Sequence, residues 1–367
     1  MVLKPFITYL KDLFATNRDG KQDPVLRGLP KVGDLLNTLV IEKKIPGLAI
    51  TVLKKGEVLF QRGYGFADLG KRIKVDPKRT IFRIGSISKN IAATALAQMV
   101  KDGIIDLDAS IYDYVPYFPK KEYDFTIRQL ASHTAGIRGY RGKEYGLNEP
   151  YSIKDSLQVF ENDNLLFEPG TDYHYNSFDW VLISLAMQEA SGVPFRNYVR
   201  EKVLVPFGLT NTFGGDDELD GINMIEGDCS HLATFYSRRK SGFHKAIPVN
   251  NNYKLASGGY LSTSADIAKF GQAYLSKGIL DDVVFSEFLT AEMINGNSTY
   301  YGLGWQVSGD KRGRPYFGHV GNGVGGYSNL FVYPKEQMVF SILINCTNPR
   351  VQDVLDTLVD VFLVDFQ

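Results

Sequence analysis

The segment Thr80-Ile81-Phe82-Arg83-Ile84-Gly85-Ser86-Ile87-Ser88-Lys89 changes period within a few residues. A strand-like run passes through a glycine into an alanine-rich stretch, Asn90 to Lys101. Ala92, Ala93, Ala95, Leu96, Met99 and Val100 recur at helical spacing and predict a buried face, and Gly103 is a natural C-terminal stop. If Ser86 opens this helix, Lys89 shares its face, because side chains at i and i+3 are neighbours on a helical surface. An amine there can take or relay the hydroxyl proton. The helix start adds unpaired N–H groups and positive potential where negative charge would develop on a substrate oxygen. On local grounds alone the alternative is a serine N-cap followed by a surface lysine. The same spacing recurs at Ser237-Arg238-Arg239-Lys240, read as a solvated loop, and at Ser308-Gly309-Asp310-Lys311, a polar turn; neither opens an apolar helix.

With 367 residues, 44% of them hydrophobic, the chain can bury a large core in one elaborate domain or two. Its 41 basic and 41 acidic residues cancel, leaving no global field to draw in nucleic acid or an anionic membrane. The apolar start from Pro5 to Phe14 is short and interrupted by charge, which argues against a membrane span or a secretory segment. Cys229 and Cys346 lie far apart, so neither a zinc cage nor a disulfide framework is indicated, and His174, His231 and His244 lack ligand spacing. Gly321, Gly323 and Gly326 satisfy the dinucleotide fingerprint GxGxxG, but the strand-like run from Tyr327 to Tyr333 follows where a Rossmann site needs a helix. The run is read instead as a flexible turn beside an edge of a sheet.

Along the chain, Leu35 to Lys44 predicts a short helix. Leu48 to Leu53 and Val58 to Phe60, joined at Lys55-Gly56, predict a hairpin. From Phe82 to about Asn250 the pattern is mostly helical, including Asp179 to Ala190. Thr263-Ser264-Ala265-Asp266 then caps an amphipathic helix. Gly304–Val307, Tyr316–His319, Asn329–Tyr333 and Val339–Asn345 read as strands, and Val351–Val364 as a closing apolar helix. The expected fold is α+β: a sheet domain with flanking helices from residues 1–81 and 251–367, and an inserted mostly helical domain over 82–250.

In this order the elements resemble the serine β-lactamase and penicillin-binding-protein superfamily, the group that includes class C β-lactamases, DD-peptidases and esterases. The resemblance rests on Ile45-Pro46-Gly47-Leu48-Ala49, Gly63-Tyr64-Gly65-Phe66-Ala67, Phe82 to Lys89, Leu130-Ala131-Ser132-His133-Thr134-Ala135-Gly136-Ile137, Pro169-Gly170-Thr171, Pro206-Phe207-Gly208-Leu209 and Gly318-His319-Val320-Gly321. The stretch Ala256 to Thr263 is similar to the mitochondrial β-lactamase-like branch.

The resemblance implies an antiparallel sheet flanked by helices, of β-lactamase/DD-peptidase type, and a catalytic set of Ser86, Lys89 and Tyr175. Tyr175 would be the tyrosine of the second motif, Tyr-x-Asn, with Ser177 standing where asparagine is usual. The other register would need His174 in the tyrosine's place, which fails chemically. The third motif is His319-Val320-Gly321 where many β-lactamases carry Lys-Thr-Gly. Ser177, His319 and Gly321 are thus assigned to substrate, and the backbone N–H groups of Ser86 and Asn322 to the oxyanion. A histidine in place of that lysine removes a fixed positive charge, disfavouring β-lactams and favouring acyl substrates without a demanding carboxylate. His133, in its own landmark, is read as tying a helix end to a loop.

The reaction implied is two-step acyl transfer on a small-molecule or peptide ester or amide, with no cofactor and no metal. A class C-like β-lactamase, and a weakly active or inactive member used for binding or self-assembly, are the alternatives. Compartment and oligomeric state are left open.

Overall fold

The computed structural model describes residues 28–215, 231–276, 279 and 282–366. The readings made at Pro5–Phe14 and Cys229 lie outside these residues. At the centre is a seven-stranded sheet. Its strands are β1 (Gly47–Lys54), β2 (Glu57–Asp68) and β3 (Ile73–Lys74) from the first part of the chain, and β4 (Gln306–Gly309), β5 (Pro315–Gly323), β6 (Gly326–Tyr333) and β7 (Met338–Ile344) from the last. Their order is β4-β5-β6-β7-β1-β2-β3, antiparallel throughout. The two parts of the chain join where β7 pairs with β1, from Leu48 opposite Ile344 to Lys54 opposite Met338. Lys55 (φ 51°) and Gly56 (φ 84°) are both left-handed. That is what a tight hairpin matching the strand twist requires.

Alternation along the strands sorts two cores. Leu48, Ile50 and Val52 face one way with Phe340, Ile342 and Ile344, under helices α1 (Gly28–Ile41) and α5 (Gln352–Asp365). Val32, Leu36 and Leu39 form the stripe by which α1 packs down. Ala49, Leu330, Val339 and Leu343 face the other way. They meet a larger core built on α2 (Ile87–Lys101), α3 (Phe178–Ser191) and α4 (Ser264–Leu275). Helix α2 is buried on nearly every side, so its polar residues need internal partners. Ser88 Oγ accepts from Tyr260 N at 3.1 Å, and Asn90 Nδ2 donates to Gly304 O at 2.9 Å.

Three readings are corrected. The helix placed over Leu35–Lys44 starts at Gly28, because its buried stripe begins at Val32. The glycine run is a turn only in part. Gly321 and Gly323 lie inside β5 and Gly326 opens β6, which confines the turn to Val324-Gly325; β4 pairs with β5 from Pro315 to Gly318 alone, so Gly321 and Gly323 extend beyond it toward the cleft. The basic run is also not a loop. Tyr236–Arg239 is a strand paired with Gly242–Lys245, and Arg238 and Arg239 point to solvent. No helix among the described residues is long and apolar enough to cross a membrane.

Candidate active site

Ser86 sits at the N-terminus of α2, yet its side chain makes no capping hydrogen bond. Its Oγ instead accepts from the hydroxyl of Tyr175 at 2.8 Å and lies 3.4 Å from Lys89 Nζ. Lys89 is not a surface lysine: it is fully buried, with Nζ 2.9 Å from Tyr175 Oη and 2.8 Å from the carbonyl oxygen of Ser257. Tyr175, on the loop before α3, is 38% exposed and closes the triangle from the solvent side. The structure thus brings together three side chains from two separate parts of the sequence.

Burial drives the Lys89 amine down from its ordinary value to about 7; Asp179 opposes the shift and the positive charge of Lys254 adds to it. Desolvation raises the Tyr175 phenol above its usual value, against the hydrogen bond to Ser86, which lowers it. Near neutrality the tyrosine therefore keeps its proton while the lysine gives it up. A neutral amine has two N–H donors and one lone pair. One N–H goes to Ser257 O and the other to Tyr175 Oη, and Tyr175 donates to Ser86 Oγ. The lone pair is left for the Ser86 proton, so the three groups form a closed ring of donors.

Behind the ring, His133 Nδ1 and Asp179 Oδ2 are 2.7 Å apart, and Asn176 Nδ2 donates to the same oxygen at 2.6 Å. The His133 ring packs edge-on against Tyr175 at 4.6 Å between centroids. Burial holds the imidazole neutral by lowering its pKa well below the usual value. His133 thus braces the first turn of α3 and the tyrosine and does not touch Ser86, in keeping with its reading as a tie between helix end and loop. Asn176 is spent inside the protein, bonding Ile137 O and Asp179, whereas Ser177 lines the cleft and makes no cap bond. The geometry selects the register in which Tyr175 and Ser177 face outward.

A small cleft of about 50 Å³, open to solvent, lies in front of Ser86. On one side β5 approaches the turn before α2 so closely that a Cβ on Gly321 would lie 2.3 Å from Ile84 O and 3.0 Å from Ser86 N. Gly85, at φ 50°, faces Asn322 N just as closely: a Cβ there would lie 2.9 Å away. Only glycine fits either position. Two backbone amides, those of Ser86 and Asn322, therefore flank the approach to the hydroxyl, and among the described residues the Ser86 N–H donates to no protein acceptor.

His319 is turned inward. It is 1% exposed, its Nδ1 donates to Val320 O at 2.8 Å, and its Nε2 accepts from Tyr301 Oη at 3.0 Å. Burial and the nearby Lys89 lower its pKa to about 3. With both nitrogens committed and no place in the cleft wall, it braces β5 and offers substrate neither charge nor hydrogen bond. The sequence reading also missed three groups of the site. The Ser257 carbonyl holds Lys89, and Lys254 and Arg83 line the cleft. The only local signal was their nearness to the Ala256–Thr263 and Phe82–Lys89 landmarks.

Residues 28–363 match the Beta-lactamase family model. The chain is 27% identical over 407 residues to the human mitochondrial serine beta-lactamase-like protein LACTB, covering 84% of this chain and 73% of that protein. Among solved structures, D-amino acid amidase from Ochrobactrum anthropi SV3, complexed with L-phenylalanine, has a TM-score of 0.79 at 19% identity, over 92% of this chain and 99% of that one. The octameric penicillin-binding protein homologue from Pyrococcus abyssi has a TM-score of 0.77 at 22% identity, over 91% and 77%. These two likenesses establish the fold. The matched span takes in the sheet, the central helix and the cleft between them, and the chain belongs to the Beta-lactamase family.

Proposed function

We propose that this protein is a serine hydrolase that cleaves an ester or amide through an acyl-enzyme on Ser86. The observation that carries the reading is the closed Ser86–Lys89–Tyr175 ring around an amine poised near neutrality. Ser86 Oγ attacks the carbonyl carbon as its proton passes to the Lys89 lone pair, and the N–H groups of Ser86 and Asn322 receive the oxyanion. The leaving group takes its proton from Tyr175, which is resupplied by Lys89. Water then attacks the acyl-enzyme as the same relay runs in reverse.

Because the base must be neutral, kcat/KM for an uncharged ester is expected to rise with pH through an inflection near 7, the value of Lys89. It should then stay level to beyond pH 9, since Tyr175 ionises above its ordinary value. A profile governed instead by a group near pH 4 would assign the base to a carboxylate.

With no cation at position 319, ester and amide cleavage is expected to exceed β-lactam cleavage. A p-nitrophenyl ester, an amino-acid amide and nitrocefin assayed side by side test the class. Nitrocefin turned over faster than both would make the protein a class C-like β-lactamase.

A further inference from the structure

Lys254 is 8% exposed and lines the cleft. Its amine lies over the rings of Tyr140, at 5.3 Å, and Tyr253, at 5.6 Å, and makes no hydrogen bond or ion pair with any described residue. The other cations buried nearby are committed. Lys89 is held by Ser257 and Tyr175, and Arg83 donates to Val324 O and lies over Phe235. Glu144, in the turn that carries Tyr145 of the cleft wall, is already gripped through both oxygens by Arg138. No carboxylate is among the described residues that line the cleft. The stem of Lys254 is buried while its amine reaches the cleft, where no described protein acceptor meets it, and a cation placed in this way is available to an incoming anion.

We propose that Lys254 is the anion-recognition residue of this cleft and that the acyl substrate carries a carboxylate which pairs with it. The inference rests on the acyl-transfer reading of Ser86. It moves the positive charge to the turn that also carries Ser257 and leaves none on β5, where the third motif of many β-lactamases places it, so a carboxylate on the acyl chain is recognised while β-lactams remain disfavoured. The cation therefore sits beside the proton relay, close enough to act on Lys89. A cleft whose described walls carry Arg83 and Lys254 and no acid also draws an anionic substrate in.

The test compares the p-nitrophenyl half-ester of adipic acid with p-nitrophenyl hexanoate, of the same chain length but uncharged. The wild type is expected to favour the half-ester by about tenfold or more in kcat/KM, the worth of one charge-assisted contact. Lys254→Met and Lys254→Gln should bring the ratio to about one or below, and Lys254→Arg should restore most of it. Any effect of the substitutions on Lys89 falls on both esters and cancels in the ratio. A wild-type ratio near one, or the same ratio in wild type and in folded Lys254→Met and Lys254→Gln, overturns the proposal. If neither ester is cleaved, the hydrolase reading fails, and calorimetry with adipate decides the anion site separately. Ser86→Ala protein should bind adipate about tenfold more tightly than the Ser86→Ala/Lys254→Met double variant, and equal affinity overturns the proposal.

Discussion

Replacing Ser86 by alanine is expected to reduce ester turnover by about 10⁴-fold or more, since the nucleophile is lost and the acyl-enzyme cannot form. Tyr175 does not substitute: its phenol keeps its proton at neutral pH, and its place in the ring is donor to the serine oxygen. Stability should change by less than about 1 kcal/mol, because the Ser86 side chain does not cap its helix and Tyr175 keeps its bond to Lys89. Steady-state kinetics and thermal melts of the same preparation check both halves. A folded Ser86→Ala protein with substantial activity would mean that the chemistry lies elsewhere.

Lys89→Met should lose about 10²–10⁴-fold in kcat/KM, the worth of a general base, and should gain stability in acid. The physical reason is burial. The folded lysine titrates at about 7 and an unfolded one at about 10.5, so between those pH values the unfolded chain binds more protons and wild-type stability rises with pH. Below pH 7 the lysine is charged in both states and its desolvation costs the fold on the order of 5 kcal/mol. Its hydrogen bonds to Ser257, Tyr175 and Ser86 return about 1 kcal/mol each. Methionine keeps the length of the side chain and removes the charge. The variant should therefore melt above the wild type at pH 6 and lose that advantage by pH 10, where only the missing hydrogen bonds count. Melts that differ by the same amount at both pH values would show that the lysine is not titrating inside the fold.

The serine–lysine pair was legible in the sequence because its geometry is local: one helical turn brings the two side chains together, whatever surrounds them. Whether the pair was a cap and a surface lysine or a reactive ring was not local. It turned on Tyr175 arriving from the loop before α3 and on a backbone carbonyl at Ser257, contacts that only the folded chain makes. The tyrosine came from family resemblance, and the carbonyl has no side chain to read. His319 shows the converse. Its place in the third motif was plain, but Tyr301 takes its second nitrogen, and nothing in the histidine's own neighbourhood announces that partner. Lys254 passed unnoticed for a similar reason: its burial is completed by Tyr140, far away in sequence.

The strands were read well where alternation was strong, as in β1 and β7, whose opposite faces feed different cores. They were misread in part in the glycine run, where residues without side chains carry no pattern and the strand is specified by its neighbour β6.

The most direct measurement is covalent labelling by a fluorophosphonate, followed by intact mass and peptide mapping across a range of pH. One adduct per chain is expected, on the peptide that contains Ser86, absent in Ser86→Ala, and formed at a rate that rises through about pH 7 with Lys89. Labelling at another serine, or none at any pH in a folded protein, would contradict the assignment of Ser86, Lys89 and Tyr175 as the acyl-transfer centre.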